Sequence, residues 1–220
     1  MAKSFAWSFS KLKNYETCPK RHFEIDLAKN YSDGGGEALT WGNAVHGALA
    51  QACMGTAELP ADMKAAYQKW VDRVRAGPGD LYVEQKYAID SSFNKTSWFG
   101  PLAWYRGIGD VVRIAGDVAL VLDWKTGKVI DDSVQLGLMA QCIFSHYPEV
   151  LRVRAEYVWL KEDATTGENF SRESLKFLWT NVLPRVDKMK AAGEAQNYPP
   201  TPSFLCKRYC PVTSCDFHGK

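Results

Sequence analysis

The sequence contains no apolar run long enough to span a bilayer, which excludes a helical integral membrane protein. The N-terminal stretch MAKSFAWSFSKLKNYE lacks both the long apolar core and the small-residue cleavage site of a secretory signal, so a cytoplasmic protein is expected. A strong charge of either sign is also missing. Against 27 Lys and Arg stand 25 Asp and Glu, a net charge of +2, so any nucleic-acid groove has to come from local clustering. The glycines after Asp33 lack the Lys-Ser/Thr of a phosphate loop and follow no strand. Asn30–Thr40 therefore reads as a linker and a substrate-side loop. With 220 residues, 46% of them hydrophobic, the chain can bury a real core within one domain.

Of what is present, Arg106–Gly127 (RGIGDVVRIAGDVALVLDWKTG) is the most informative stretch. Two apolar, β-branched runs, Ile108–Ile114 and Val118–Trp124, flank Gly116-Asp117, which suits a type II′ hairpin turn. If those two residues form the loop, Ala115 pairs with Val118, and counting outward sets Asp110 opposite Asp123. Lys125 lies two positions on, and so shares a face with Asp123. Opposed carboxylates repel unless a cation sits between them. Lys125 supplies one charge and a divalent metal would supply more. Oxygen ligands of this kind suit Mg²⁺, and the arrangement suits phosphate chemistry. A plain surface hairpin is the competing reading.

Around this hairpin, Trp41–Met54 reads as a helix with His46 beside its apolar stripe, and Asp62–Arg75 as another. Leu81–Asp90 reads as a strand. Its alternation puts Tyr82, Glu84 and Lys86 on a polar face and Leu81, Val83, Gln85, Tyr87 and Ile89 on the other. Ser91–Tyr105 is a loop rich in aromatics. Trp98, Phe99, Trp104 and Tyr105 offer either stacking surfaces for bases or plugs for the core, and Lys95 and Arg106 flank them. Asp131-Asp-Ser133 caps a helix over Val134–Tyr147, with Gln135 in its first turn. Val153–Lys161 reads as a strand that leaves Arg154, Glu156 and Trp159 at the surface or groove, and Thr165-Thr-Gly167 as a turn. Arg172–Ala192 reads as a helix kinked or split at Pro184.

Cys206, Cys210 and Cys215 fall within ten residues near the C-terminus. A four-thiolate site lacks one ligand there, and Cys18 at the other end of the chain is the candidate. In a reducing compartment this pattern argues for metal or cluster ligation before a disulfide. Zinc also suits four thiolates, and His218 offers itself in place of one Cys. Cys18 taken alone reads as a small buried hydrophobe, as do Cys53 and Cys142.

The run Gly109-Asp-Val-Val112 followed by Val121-Leu-Asp-Trp-Lys-Thr-Gly127 resembles the core of the PD-(D/E)XK nucleases. With Gly42-Asn-Ala-Val-His46 upstream and Gln135 downstream, it is similar to the RecB-type branch, which includes CRISPR-associated RecB-like exonucleases. The resemblance implies a mixed α/β central sheet flanked by helices. It also implies a single RecB-like nuclease domain over residues 1–220, with 41–192 as nuclease core and 1–30 and 198–220 as a cysteine-cluster region. It implies a metal-dependent DNA exonuclease that cuts ends or single strands in recombination, repair or viral or CRISPR DNA processing. His46, Asp110, Asp123 and the backbone carbonyl of Trp124 would bind Mg²⁺ or Mn²⁺, with Glu84 as an outer acid. Asp110, Asp123, Lys125 and Gln135 would carry the chemistry. Tyr15, Cys18, Pro19 and Phe23 match the family pattern for the first ligand of a [4Fe–4S] cluster, which Cys206, Cys210 and Cys215 would complete. The resemblance departs in two places. Met139 stands where the family has Tyr after the Gln, and the middle Cys of the terminal trio is moved by one residue. DNA is the expected partner, contacted through Lys95, Trp98 and Arg106, with no membrane and with oligomers open. The alternative is a non-catalytic nucleic-acid-binding protein with a structural zinc or iron–sulfur site.

Overall fold

The computed structural model describes residues 5–33, 36–130 and 132–220. In chain order the elements are α1 (Phe9–Thr17), α2 (Pro19–His22), a π-helical turn (Phe23–Leu27), α3 (Glu37–Met54), α4 (Ala61–Ala76), β1 (Asp80–Ile89), β2 (Lys95–Thr96), β3 (Tyr105–Ala115), β4 (Val118–Lys125), α5 (Val134–His146), β5 (Arg152–Trp159), β6 (Ala164–Phe170), α6 (Ser174–Glu194) and α7 (Leu205–Arg208). The fold is mixed α/β, a six-stranded sheet flanked by helices. Among the described residues no helix is long and apolar enough to cross a membrane. Two compact units are present. Of the described residues, one holds Thr40–Leu178 with Phe5 and Ala6, and the other holds Trp7–Leu39 and Trp179–Lys220.

In the first unit the strand order is β2-β1-β3-β4-β5-β6. All neighbours are antiparallel except β4 and β5. A parallel pair needs a crossover, and α5 provides it. Gly116 has φ +60, as a type II′ turn demands of its first central residue, and Ala115 pairs with Val118. Val45, Leu49 and Cys53 of α3 and Trp70, Val71 and Val74 of α4 form one core with Val111, Leu122, Trp124 and Val158 of the sheet. The last turn of α4 is held by buried Arg113. Its guanidinium donates to the carbonyls of Val74, Arg75, Pro78 and Gly79 at 2.6–3.2 Å, satisfying groups the helix end leaves unpaired.

Several sequence expectations are corrected here. Thr165-Thr-Gly167 belongs to β6, and the turn lies before it, where Asp163 takes φ +51. As an exposed edge strand, β6 has no apolar period to read. Gly167 lets it close on β5, since a Cβ there would lie 2.3 Å from the Ala155 carbonyl oxygen. Glu156 and Trp159 are buried, not surface residues. Of the expected α5 caps, Asp132 accepts the Val134 N–H at 3.0 Å, Ser133 makes no cap bond, and Asp131 lies outside the described residues, as do Gly34 and Gly35.

The second unit takes α6 from Trp179 onward, and the helix runs unbroken through Pro184. Buried Trp179, Val182, Val186 and Met189 keep one apolar stripe in helical phase on both sides of the proline. That packing outweighs the roughly 3 kcal/mol a mid-helix proline costs. Arg185 clasps Glu16 of α1 through two bonds of 2.6 and 2.9 Å, and Trp179 meets Trp7 edge-on. Tyr198 packs on Phe23.

Candidate active site

The site forms where the sheet's ladders fail. β1 and β3 pair at Val83↔Val111 and at Gln85↔Gly109, but the intervening Glu84 makes no ladder pair with Asp110. β3 and β4 pair outward from the turn as far as Val111↔Leu122, one step short of Asp110 and Asp123. Glu84 has φ +51, a left-handed conformation that costs a residue with a Cβ about 1–3 kcal/mol. The break reverses the alternation of β1. Val83 packs with the α3–α4 core, whereas Tyr87, also odd-numbered, packs on His146 of α5. The single polar face expected for this strand is therefore divided between both sides of the sheet. Asp110 closes part of the gap, since its Oδ2 accepts the Trp124 N–H at 2.8 Å.

α3 brings His46 to this break, because its neighbours Val45 and Leu49 anchor the helix in the core. His46 Nδ1 lies 3.3 Å from Asp110 Oδ2. The ligand atoms of His46, Glu84 and Asp110 all fall within 4.8 Å of one another, the one such group among the described residues. Beside it is a closed triangle. Gln135 Nε2 donates to Asp123 Oδ1 at 2.7 Å, Lys125 Nζ donates to Gln135 Oε1 at 3.0 Å, and Lys125 Nζ lies 2.5 Å from Asp123 Oδ2. That last contact is an ion pair without hydrogen-bond alignment, so buried Asp123 Oδ2 has no hydrogen-bond partner. Tyr157 completes the wall, with its ring centroid 4.9 Å from Lys125 Nζ.

Electrostatics follow from this crowding. Burial raises the Asp123 carboxyl to about 6, and Asp110 adds to the rise, while Lys125 and His46 oppose it. Burial, then Asp110 and Asp123, raise Glu84 as well. Desolvation alone would lower His46, but its hydrogen bond to Asp110 and the charges of Asp110, Asp123 and Glu84 prevail and raise it. Burial and the nearness of the carboxylates to one another thus both favour protonation at this site.

The structure brings His46, Glu84 and Asp110 together and sets Asp123, Lys125 and Gln135 beside them. Met139 lies in the same small cavity as Asp110, Asp123 and Gln135. Lys95 on β2, Trp98 after it and Arg106 on β3 do not line that cavity. Of the aromatic loop, Tyr105 is core, whereas Phe99 is 87% exposed. Lys86 Nζ and Arg106 Cζ lie over the Trp98 ring, 5.7 and 5.9 Å from its centroid. Sequence reasoning missed Tyr157, which shares the register of Asp123 across the parallel pair, and Lys86. Pairing β4 with β5 would have found Tyr157, since a same-face neighbour of Asp123 follows from the register. For Lys86 no local signal existed.

In the second unit Cys18, Cys206, Cys210 and Cys215 line one pocket with Lys20 and Arg21. All four are free and half-buried. The Thr201 N–H points at Cys18 Sγ at 3.3 Å and the Ser203 N–H at Cys206 Sγ at 3.4 Å. Cys53 and Cys142 are buried elsewhere, and desolvation raises both thiols, Cys53 to about 11.

The sequence profile described as the PD-(D/E)XK nuclease superfamily matches residues 6–215. The chain belongs to this superfamily. Two solved structures share the fold. The crystal structure of SSO0001 is 11% identical with a TM-score of 0.51, over 98% of this chain and 88% of that one. The crystal structure of a candidate exonuclease from Eubacterium rectale is 14% identical with a TM-score of 0.57, over 91% of this chain and 85% of that one. Comparison with curated proteins returned no match. For a PD-(D/E)XK nuclease, nucleic acid is the substrate class and a divalent metal is the expected cofactor, and His46, Glu84 and Asp110 form a group that could hold one.

Proposed function

We propose that this PD-(D/E)XK protein is a divalent-metal-dependent deoxyribonuclease of the RecB type, an exonuclease acting on DNA ends or single strands. The observation that carries the reading is the convergence of His46, Glu84 and Asp110 beside the Asp123–Lys125–Gln135 triangle. Carboxylate oxygens with one imidazole nitrogen suit Mg²⁺ or Mn²⁺. The donor set fits such an ion, because buried Asp123 Oδ2 lacks a hydrogen bond and because burial, with repulsion from Asp110, raises Glu84 and Asp123, a cost that a cation would relieve. His46, Asp110, Asp123 and the Trp124 carbonyl are the ligands we assign, with Glu84 as the outer acid. When bound, the ion would polarise the phosphate and make its water a stronger nucleophile at neutral pH.

The chain's own groups do the rest. Lys125 offers its ammonium to the charge that grows on the phosphate oxygens. Gln135 holds that ammonium through Oε1 and fixes Asp123 through Nε2, so both groups are positioned before substrate arrives. The test is digestion of 5′- and 3′-labelled single- and double-stranded DNA with Mg²⁺ or Mn²⁺. Wild type should release short products from an end, and Asp110→Ala and Asp123→Ala should release none. Variants that degrade DNA as fast as wild type would overturn the assignment.

We assign the cysteine pocket to a [4Fe–4S] cluster held by Cys18, Cys206, Cys210 and Cys215, with residues 1–30 and 198–220 as its region and 41–192 as nuclease core. What supports the reading is that all four cysteines line one pocket, with N–H groups on two sulfurs and Lys20 and Arg21 beside them, as thiolate ligands of a cluster require. Anaerobically purified protein should be brown and carry iron and sulfide. A colourless protein with stoichiometric zinc would refute the cluster.

A further inference from the structure

Beyond the row of acids, β1 and β3 continue as an arm of paired strands. Lys86 pairs with Ile108, and Ala88 with Arg106. Ile108 lines the cavity that holds Asp110 and Asp123, so the arm is continuous with the acids. By strand rise Lys86 stands about 7 Å along β1 from Glu84, and Arg106 about 14 Å along β3 from Asp110.

Two cations on neighbouring strands would repel, but here both close on the ring of Trp98. A cation over an indole face is held by the ring's quadrupole. Trp98 is thereby occupied and is not itself a free stacking surface. The Nε of Arg106 is buried without a hydrogen bond. Next to Trp98, Phe99 is 87% exposed and Leu102 67% exposed. This arm therefore carries two positive charges spaced outward from the acids, and an exposed apolar ring, Phe99, follows Trp98 in the chain.

We infer that this arm is the track for a single-stranded DNA segment on one side of the cut, with Lys86 and Arg106 on its phosphates and Phe99 under an unpaired base. The inference rests on the nuclease reading and adds the substrate's form and its path. Charge complementarity selects a polyanion. The exposed Phe ring selects a polyanion with accessible base faces, which a duplex does not offer along its length. Trp98 acts as a positioning residue that sets both cations.

The test is equilibrium binding in EDTA, where no cutting occurs, of a fluorescein-labelled 20-nucleotide single strand and of the blunt duplex of the same sequence. Phe99→Ala should weaken single-strand binding about 5- to 100-fold, the range expected from losing one base stack, with less than a twofold change for the duplex. Lys86→Gln should reduce the slope of log K against log salt by about 0.7, whereas Phe99→Ala should leave that slope unchanged. Both side chains are exposed, so both variants should fold as wild type does. Single-strand binding within twofold of wild type in both variants would overturn the track. Equal losses on single strand and duplex in Phe99→Ala would overturn it too. The wild type's digestion of the same strand with Mn²⁺ is read separately. A wild type that cuts it, together with unchanged binding by the variants, sinks the track and leaves the nuclease reading standing.

Discussion

Replacing Asp123 with Asn should make the metal-free protein more stable and the metal-loaded protein less so. The Asp123 carboxyl is raised from 3.8 to about 6 by burial and by Asp110. An acid whose folded pKa lies above its unfolded one favours the fold while protonated. That contribution is fully present below about pH 4 and is lost as pH climbs through about 6. At about 1.4 kcal/mol per pH unit, the ionised group burdens the fold at pH 8 by about 3 kcal/mol. Asn removes the burden, keeps an oxygen for Gln135 Nε2, and forfeits the Lys125 ion pair. The raised value already includes the attraction of Lys125, so the lost ion pair is contained in that figure, and Lys125 retains Gln135 and the Tyr157 ring. The net gain at pH 8 in EDTA is about 2–3 kcal/mol, or about 4–12 °C in melting temperature. At pH 4, where Asp123 is protonated in the fold and makes no ion pair, the two proteins should melt together. Saturating Mn²⁺ at pH 8 should reverse the order, because the ion stabilises wild type by mass action and finds one carboxylate fewer in the variant. Calorimetric melts of both proteins at pH 4 and pH 8, with EDTA and with Mn²⁺, check each part. An Asn variant less stable than wild type in EDTA at pH 8, or an unchanged difference with Mn²⁺, would refute the reasoning.

Three other outcomes follow from the same geometry. Lys125→Ala should lower kcat about 10²- to 10³-fold, as loss of a preorganised donor does, with little change in DNA binding in EDTA; cleavage rates and binding isotherms measure the split. Glu84→Gly should raise stability in EDTA by about 1 kcal/mol by relieving the left-handed strain, while weakening Mn²⁺ binding in isothermal titration. Arg113→Met should cost about 2–3 kcal/mol, because the carbonyls of Val74, Arg75, Pro78 and Gly79 lose their donor, and a urea titration reads the loss directly.

The hairpin at Gly116 was legible because turn chemistry and a period of two act over neighbouring residues, and both agreed there. From that register alone Asp110, Asp123 and Lys125 could be placed near one another. Helices α3, α4 and α5 were legible from their apolar spacing. The edge strand β6 was not, since an edge pairs through its backbone and needs no apolar alternation. The unbroken α6 was hidden by Pro184, whose local cost is visible in sequence while the packing that offsets it is not. Met139, a departure from the family pattern, turned out to fill the cavity floor beside Gly107 and Gly109.

By itself the sequence determined which residue types could do the chemistry and the local geometry of the turn that aligns two of them. Only the tertiary structure decided that the ladders stop at the acids, that Glu84 reverses its strand there, and that His46 arrives within 3.3 Å of Asp110. The reason is range. Turn and helix preferences are set by a few adjacent residues, whereas the break in the sheet and the arrival of the imidazole depend on how α3 and α5 pack against strands far away in sequence. The same holds for Lys86 and Arg106, which lie twenty positions apart in the chain and meet only over the ring of Trp98.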